Sequence, residues 1–121
     1  MFYANGDAVF ISRGDTGTIT ATTKGSKLNP AVDRVLFTVK NNKGEIVMLR
    51  QLTPADDAQN TSTVEFRNRD TDYLTPGVYT YDFRYVVNPY YNADGDIVDG
   101  DDIITPKLPQ QLTILGVVGE I

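Results

Sequence analysis

An all-β, two-sheet antiparallel sandwich of about seven to nine strands is predicted by three features of this chain. Every second residue of the run from Tyr79 is aromatic or apolar (Tyr79, Tyr81, Phe83, Tyr85, Val87), with Thr80, Asp82 and Arg84 between them. That period of two makes a long strand with one face in a core and one in water. Turn signals recur roughly every 8–15 residues, and no segment keeps a helical period for as many as about ten. With 121 residues, the whole of 1–121 is read as one domain, long enough to bury a core without staples.

The strands follow in order from runs of Val, Ile, Thr, Phe and Tyr between Gly, Asn, Asp and Pro turns: Ala8–Ser12, Thr16–Thr23, Arg34–Lys40, Glu45–Leu52, Ser62–Arg67, Gly77–Asn88, Asp96–Asp99 and Gln111–Val118. Val35, Phe37 and Val39 share one face, as do Val64 and Phe66, with Ile19 and Ala21 a weaker set. Val35, Phe37, Tyr79, Tyr81 and Phe83 are therefore expected in the core, with Thr80, Asp82 and Arg84 exposed. One helical turn is expected at Asp70–Leu74, with Asp70 capping the amides that follow. Two strands break the alternation. Ile46, Val47, Met48 and Leu49 are consecutive apolar residues, and Leu112, Ile114 and Val118 lie on one parity with Leu115 and Val117 on the other. A strand apolar on both faces needs cover on both. Leu112, Ile114, Leu115, Val117 and Val118 are accordingly the expected interface with another chain, through an edge strand.

Composition narrows the chemistry. There is no cysteine and no histidine, so the sequence offers no disulfide, no thiolate, no usual zinc ligand set and no general base tuned near neutral pH. Sixteen acidic against eleven basic residues leave a net charge of −5, which disfavours a nucleic-acid surface. No apolar run approaches the roughly 20 residues of a membrane helix. Met1–Asp7 lacks the basic and apolar regions of a secretion signal, so synthesis in the cytoplasm is expected. Ser12, Ser26 and Ser62 have no histidine to activate them, and the pairs Asp56-Asp57 and Asp101-Asp102 read as solvated loop carboxylates. A non-enzyme without cofactors is expected.

Two segments carry alternatives. Asn92, Asp94 and Asp96 have the spacing that opens a calcium loop, but the sixth position is Ile97 and the twelfth Ile103, where such a loop needs Gly and Glu. A metal-free hairpin or loop over Asn92–Asp102 is preferred, with Asp94-Gly95 and Asp99-Gly100 as type I′ turn residues. Tyr90 and Tyr91 form a possible aromatic platform for sugar rings, against the preferred reading that they cap one end of the sandwich. Arg13-Gly14-Asp15 reads as a turn.

Asp72, the Leu74-Thr75-Pro76-Gly77 turn and Tyr79 resemble the tyrosine corner of immunoglobulin-like sandwiches, at a longer spacing. Three further motifs occur in order: Gly14-Asp-Thr-Gly-Thr-Ile-Thr, Asp33-Arg-Val-Leu-Phe-Thr-Val-Lys with Lys43-Gly-Glu-Ile-Val, and Leu74-Thr-Pro-Gly-Val-Tyr-Thr-Tyr-Asp-Phe-Arg-Tyr. Together they resemble the immunoglobulin-like domain of phage tail and baseplate proteins, nearest the N-terminal region of baseplate upper proteins. The likeness spans Gly14–Val87 and leaves out Asn88–Thr105. It implies a non-catalytic structural or assembly module in a phage or prophage virion. Its partners would be other tail or baseplate proteins or further copies of itself, with neither nucleic acid nor membrane. The alternative is a bacterial surface module binding carbohydrate or calcium through Tyr90, Tyr91 and the acidic loop.

Overall fold

Alternation along two long strands builds the layers. A computed structural model describes residues 1–22 and 27–116. The strands are β1 (Phe2–Asn5), β2 (Ala8–Ser12), β3 (Gly17–Ala21), β4 (Arg34–Lys40), β5 (Ile46–Leu52), β6 (Ser62–Phe66), β7 (Gly77–Tyr91), β8 (Ile97–Ile104) and β9 (Gln110–Leu115), with one helical turn, α1 (Asn68–Thr71). The larger sheet runs β1-β2-β9-β7-β4-β5, with β8 also on β7, and the smaller is β3-β6. Every pairing is antiparallel except β2 with β9, which run parallel with Val9 opposite Leu112. This is an all-β, two-sheet sandwich. Its tyrosine corner is formed: the Tyr79 hydroxyl donates to the Thr75 carbonyl at 2.6 Å.

The core sits where the inner parity of β4 and β7 meets β3 and β6. Val35, Phe37, Val39, Tyr79, Tyr81, Phe83 and Tyr85 are all buried, opposite Ile19, Val64 and Phe66. Phe37 is the centre, with ring centroids 5.1 Å from Phe83, 5.9 Å from Tyr81 and 6.0 Å from Phe66. Thr80 and Arg84 are exposed as expected, but Asp82 is only half-exposed, and its Oδ1 is shut from solvent without a hydrogen-bond partner among the described residues.

Loop polar groups hold the layers together through backbone. Asp33, buried, accepts the Asn29 amide at 2.7 Å and the Asn88 amide at 2.9 Å. Asn60, also buried, accepts the Leu28 amide at 2.8 Å and donates to the Leu28 and Ala55 carbonyls, each at 3.1 Å. The helical turn begins two residues earlier than expected. Asp70 reaches back to the Arg67 amide at 2.6 Å instead of capping later amides, and it pairs with Arg50 at 2.5 Å. Thr71 accepts the Gly14 amide at 2.8 Å, tying α1 to the β2–β3 turn.

The largest departures from the sequence reading are at β1, β7 and β8. β1 exists because Gly6, at φ 62°, turns it back onto β2, with Tyr3 stacked on Phe10 at 4.7 Å. β7 continues past Asn88, which takes φ 48°, to Tyr91, and β8 runs on to Ile104. Asp99-Gly100 is therefore no turn. Gly100 lies inside β8 opposite Pro89, where an added Cβ would come within 2.6 Å of Val86 Cγ1 and 3.0 Å of the Val87 carbonyl. Gly100→Ala is expected to cost about 1–3 kcal/mol by overpacking, seen as a lower melting temperature.

Candidate functional site

The β7–β8 hairpin carries the acidic cluster. The Asn92 amide donates to the Asp96 carbonyl at 2.9 Å, Gly95 closes on the Asn92 carbonyl at 3.1 Å, and Gly95 has φ 81°. The Asn92 Oδ1 accepts the Asp94 and Asp96 amides at 2.9 and 3.0 Å. The i, i+2, i+4 spacing that opens a calcium loop is thus satisfied as turn chemistry, with the side-chain oxygen spent on backbone. It is a three-residue loop closing on a left-handed glycine, where a two-residue type I′ turn was expected. The Asn41–Glu45 loop between β4 and β5 repeats it: Asn41 Oδ1 accepts the Lys43 and Glu45 amides, each at 3.0 Å, and Gly44 has φ 81°. Among the described residues, no three acidic side chains converge where a metal ion would sit.

Tyr90 and Tyr91 lie in the outer half of β7, each about half exposed. As successive residues of a strand they project to opposite faces, so a flat ligand would stack on one of them, not across both. The Tyr90 hydroxyl bonds Asp101, which also accepts the Asn88 side-chain amide at 2.8 Å. The Tyr90 hydroxyl and then the Asn88 amide hold the Asp101 carboxyl below its ordinary range, while the bond to Asp101, reinforced by its charge, raises the Tyr90 phenol.

The inner tyrosines of β7 are bonded to backbone. Tyr81 donates to the Asp7 carbonyl at 2.6 Å and Tyr85 to the Thr22 carbonyl at 2.9 Å. Burial raises the phenols of Tyr79, Tyr81 and Tyr85, with Tyr73 adding at Tyr79 and Asp7 at Tyr81. A phenol with a raised folded-state pKa contributes stability that is complete below about pH 10, its unfolded value, and is lost as pH rises through the folded one. Ionisation of these three, followed by absorbance near the phenolate band, is expected to coincide with loss of the far-ultraviolet β signal. Their ionisation well before unfolding would refute this.

The predicted interface divides by parity. Leu112 and Ile114 are fully buried in the chain's own core, so neither is available to another chain. β9 is not an edge strand, since β2 flanks one side and β7 the other. Leu115 is half-buried on the outer parity, and Val117 and Val118 lie outside the described residues. What sequence reading missed is an apolar row across the outside of the large sheet. Tyr3 faces Phe10, Phe10 faces Thr113, and Thr113 faces Val78, so the row crosses four strands. Tyr3 is 45 % exposed and Val78 57 %. The odd parity of Tyr3 and even parity of Phe10 and Val78 were readable; strand order, which makes them neighbours, was not.

The fold and this surface define a β-sandwich module with an apolar outer sheet face. No protein-family model matches the chain, and a search of curated proteins finds no relative.

Proposed function

We propose that this chain is a non-catalytic structural module of a phage or prophage particle, in its tail or baseplate, acting through protein–protein contacts with neighbouring tail proteins or further copies. The observation that carries this reading is the Tyr3–Phe10–Val78 row on the outside of the larger sheet. Covering about 300 Å² of apolar surface there contributes roughly 7 kcal/mol before the costs of association. The motif order across Gly14–Val87 supports the phage setting, and the buried polar side chains Asp33 and Asn60 are spent on backbone instead of opening toward a ligand.

Tyr3→Lys with Val78→Lys tests it. Both positions face water in the single chain, so the folded state is expected to change by less than about 1 kcal/mol. Incorporation into purified particles, measured by mass spectrometry, is expected to fall to background. Particles that lack the wild-type protein, or that take up the double variant equally well, would overturn the proposal.

A further inference from the structure

Two patches of opposite charge face outward from this chain. From Tyr85 to Pro106 the sequence carries five aspartates, Asp94, Asp96, Asp99, Asp101 and Asp102, and no lysine or arginine. All five are exposed, and none pairs with a cation among the described residues. Asp94 and Asp96 flank Gly95 at the tip of the β7–β8 hairpin. The Asn92 side chain holds both their amides, and Gln51 donates to the Gly95 carbonyl at 3.1 Å. A turn already fixed in this way has little freedom left to lose on binding.

The opposite patch is a cleft of about 570 Å³ between β5, β6 and α1, whose lining includes Arg50, Leu52, Glu65, Arg67, Arg69 and Asp70. Arg50 lies opposite Phe37 and so points to the inner side of the larger sheet. There it reaches Asp70 at 2.5 Å and the Glu65 carbonyl at 3.4 Å. Asp70, buried, is spent on Arg50 and on the Arg67 amide. Arg67 and Arg69 are exposed and have no carboxylate partner among the described residues. Three guanidinium groups thus meet two carboxylates, one of them already bonded, in a chain whose net charge is −5. Arginine receives a carboxylate on two parallel hydrogen bonds, and that is the partner Arg67 and Arg69 lack.

Within one chain the two patches stay apart. Arg50 and Gln51 are successive residues of β5, so they project to opposite faces. Gln51 keeps the hairpin tip on the outer face, while Arg50 lines the cleft from the inner side.

We propose that the hairpin tip of one copy enters the arginine cleft of another, with Asp94 and Asp96 pairing with Arg67 and Arg69. Gly95, which has no side chain, lets the turn come close. The proposal rests on the assembly reading above and specifies how copies meet. Its contact joins unlike patches, so every copy brings both a tip and a cleft.

Sedimentation of the full chain from micromolar to millimolar concentration tests it. Self-association is expected in about 50 mM salt and should weaken about tenfold in about 500 mM, because exposed ion pairs are screened. Asp94→Lys with Asp96→Lys should abolish it, as should Arg67→Glu with Arg69→Glu, all four positions being exposed. An equimolar mixture of these two variants is expected to associate again, since each reversed patch then meets its complement. The milder pairs, Asp94→Asn with Asp96→Asn and Arg67→Gln with Arg69→Gln, should each weaken association several-fold. A wild-type protein that stays monomeric at millimolar concentration in low salt would overturn the proposal. So would association that the charge variants leave unchanged, or a mixture that stays monomeric although both variants keep the far-ultraviolet β signal. Association lost with Tyr3→Lys and Val78→Lys alone would put the copies together through the outer row and overturn it too. A monomer that still enters particles sinks only the tip-to-cleft contact; charge-dependent association without incorporation sinks only the particle reading.

Discussion

Phe37→Ala is expected to lower stability by about 3–5 kcal/mol, the range for deleting a buried phenyl ring. Phe37 is fully buried and meets the rings of Phe66, Tyr81 and Phe83, so it touches both sheets. Neighbouring rings on β7 are held by hydroxyl bonds to backbone at Tyr79, Tyr81 and Tyr85, which limits collapse into the vacated space. Phe37→Leu keeps most of the volume and should cost less than half as much. Urea unfolding of the three proteins measures it, and a loss near 1 kcal/mol for the alanine variant would mean the two sheets do not meet on this ring.

Asn60→Ala is expected to be the next most damaging change, at about 3 kcal/mol or more, since each buried group left unsatisfied costs about 1–3 kcal/mol. It would strand the Leu28 amide and the carbonyls of Leu28 and Ala55. Asn60 also has φ 45°, a left-handed conformation that asparagine tolerates and alanine resists. Asn60→Gly removes the same bonds without the backbone strain, so it should be milder than alanine by about 1 kcal/mol. Equal losses in the two variants would assign the effect to the bonds alone.

The centre of the sandwich was legible because its signals are local. Alternation in Arg34–Lys40 and from Tyr79 fixed which residues point inward, and the turn before Tyr79 announced the corner. Segments whose structure depends on a distant partner were not. Gly100–Asp102 reads as loop by composition, yet pairing with Val87–Pro89 makes it strand. The Asn41 and Asn92 loops share an Asn-x-x-Gly-acid pattern that would have identified Asn92–Asp96 as a turn closed by its own side chain. For β9, parity correctly separates Leu112 and Ile114 from Leu115, but no local feature says that β2 will cover its far edge. Gln51 donating to the Gly95 carbonyl at 3.1 Å, from β5 to the tip of the β7–β8 hairpin, has no sequence signal at all.

The parallel pairing of β2 with β9 decides how the sandwich answers a pull. The chain enters β2 at Ala8 and leaves β9 at Leu115, and these lie at opposite ends of one ladder. Tension drawn through Ala8 and Leu115 therefore shears that ladder, stretching its hydrogen bonds together instead of opening them one after another. β1 stands in front of this arrangement. Its Phe2 lies opposite Ile11, so force arriving before Phe2 first peels β1 from β2 bond by bond. The sandwich thus yields in two stages, a soft release of one short strand and then a stiff clamp, a tether with slack ahead of its catch.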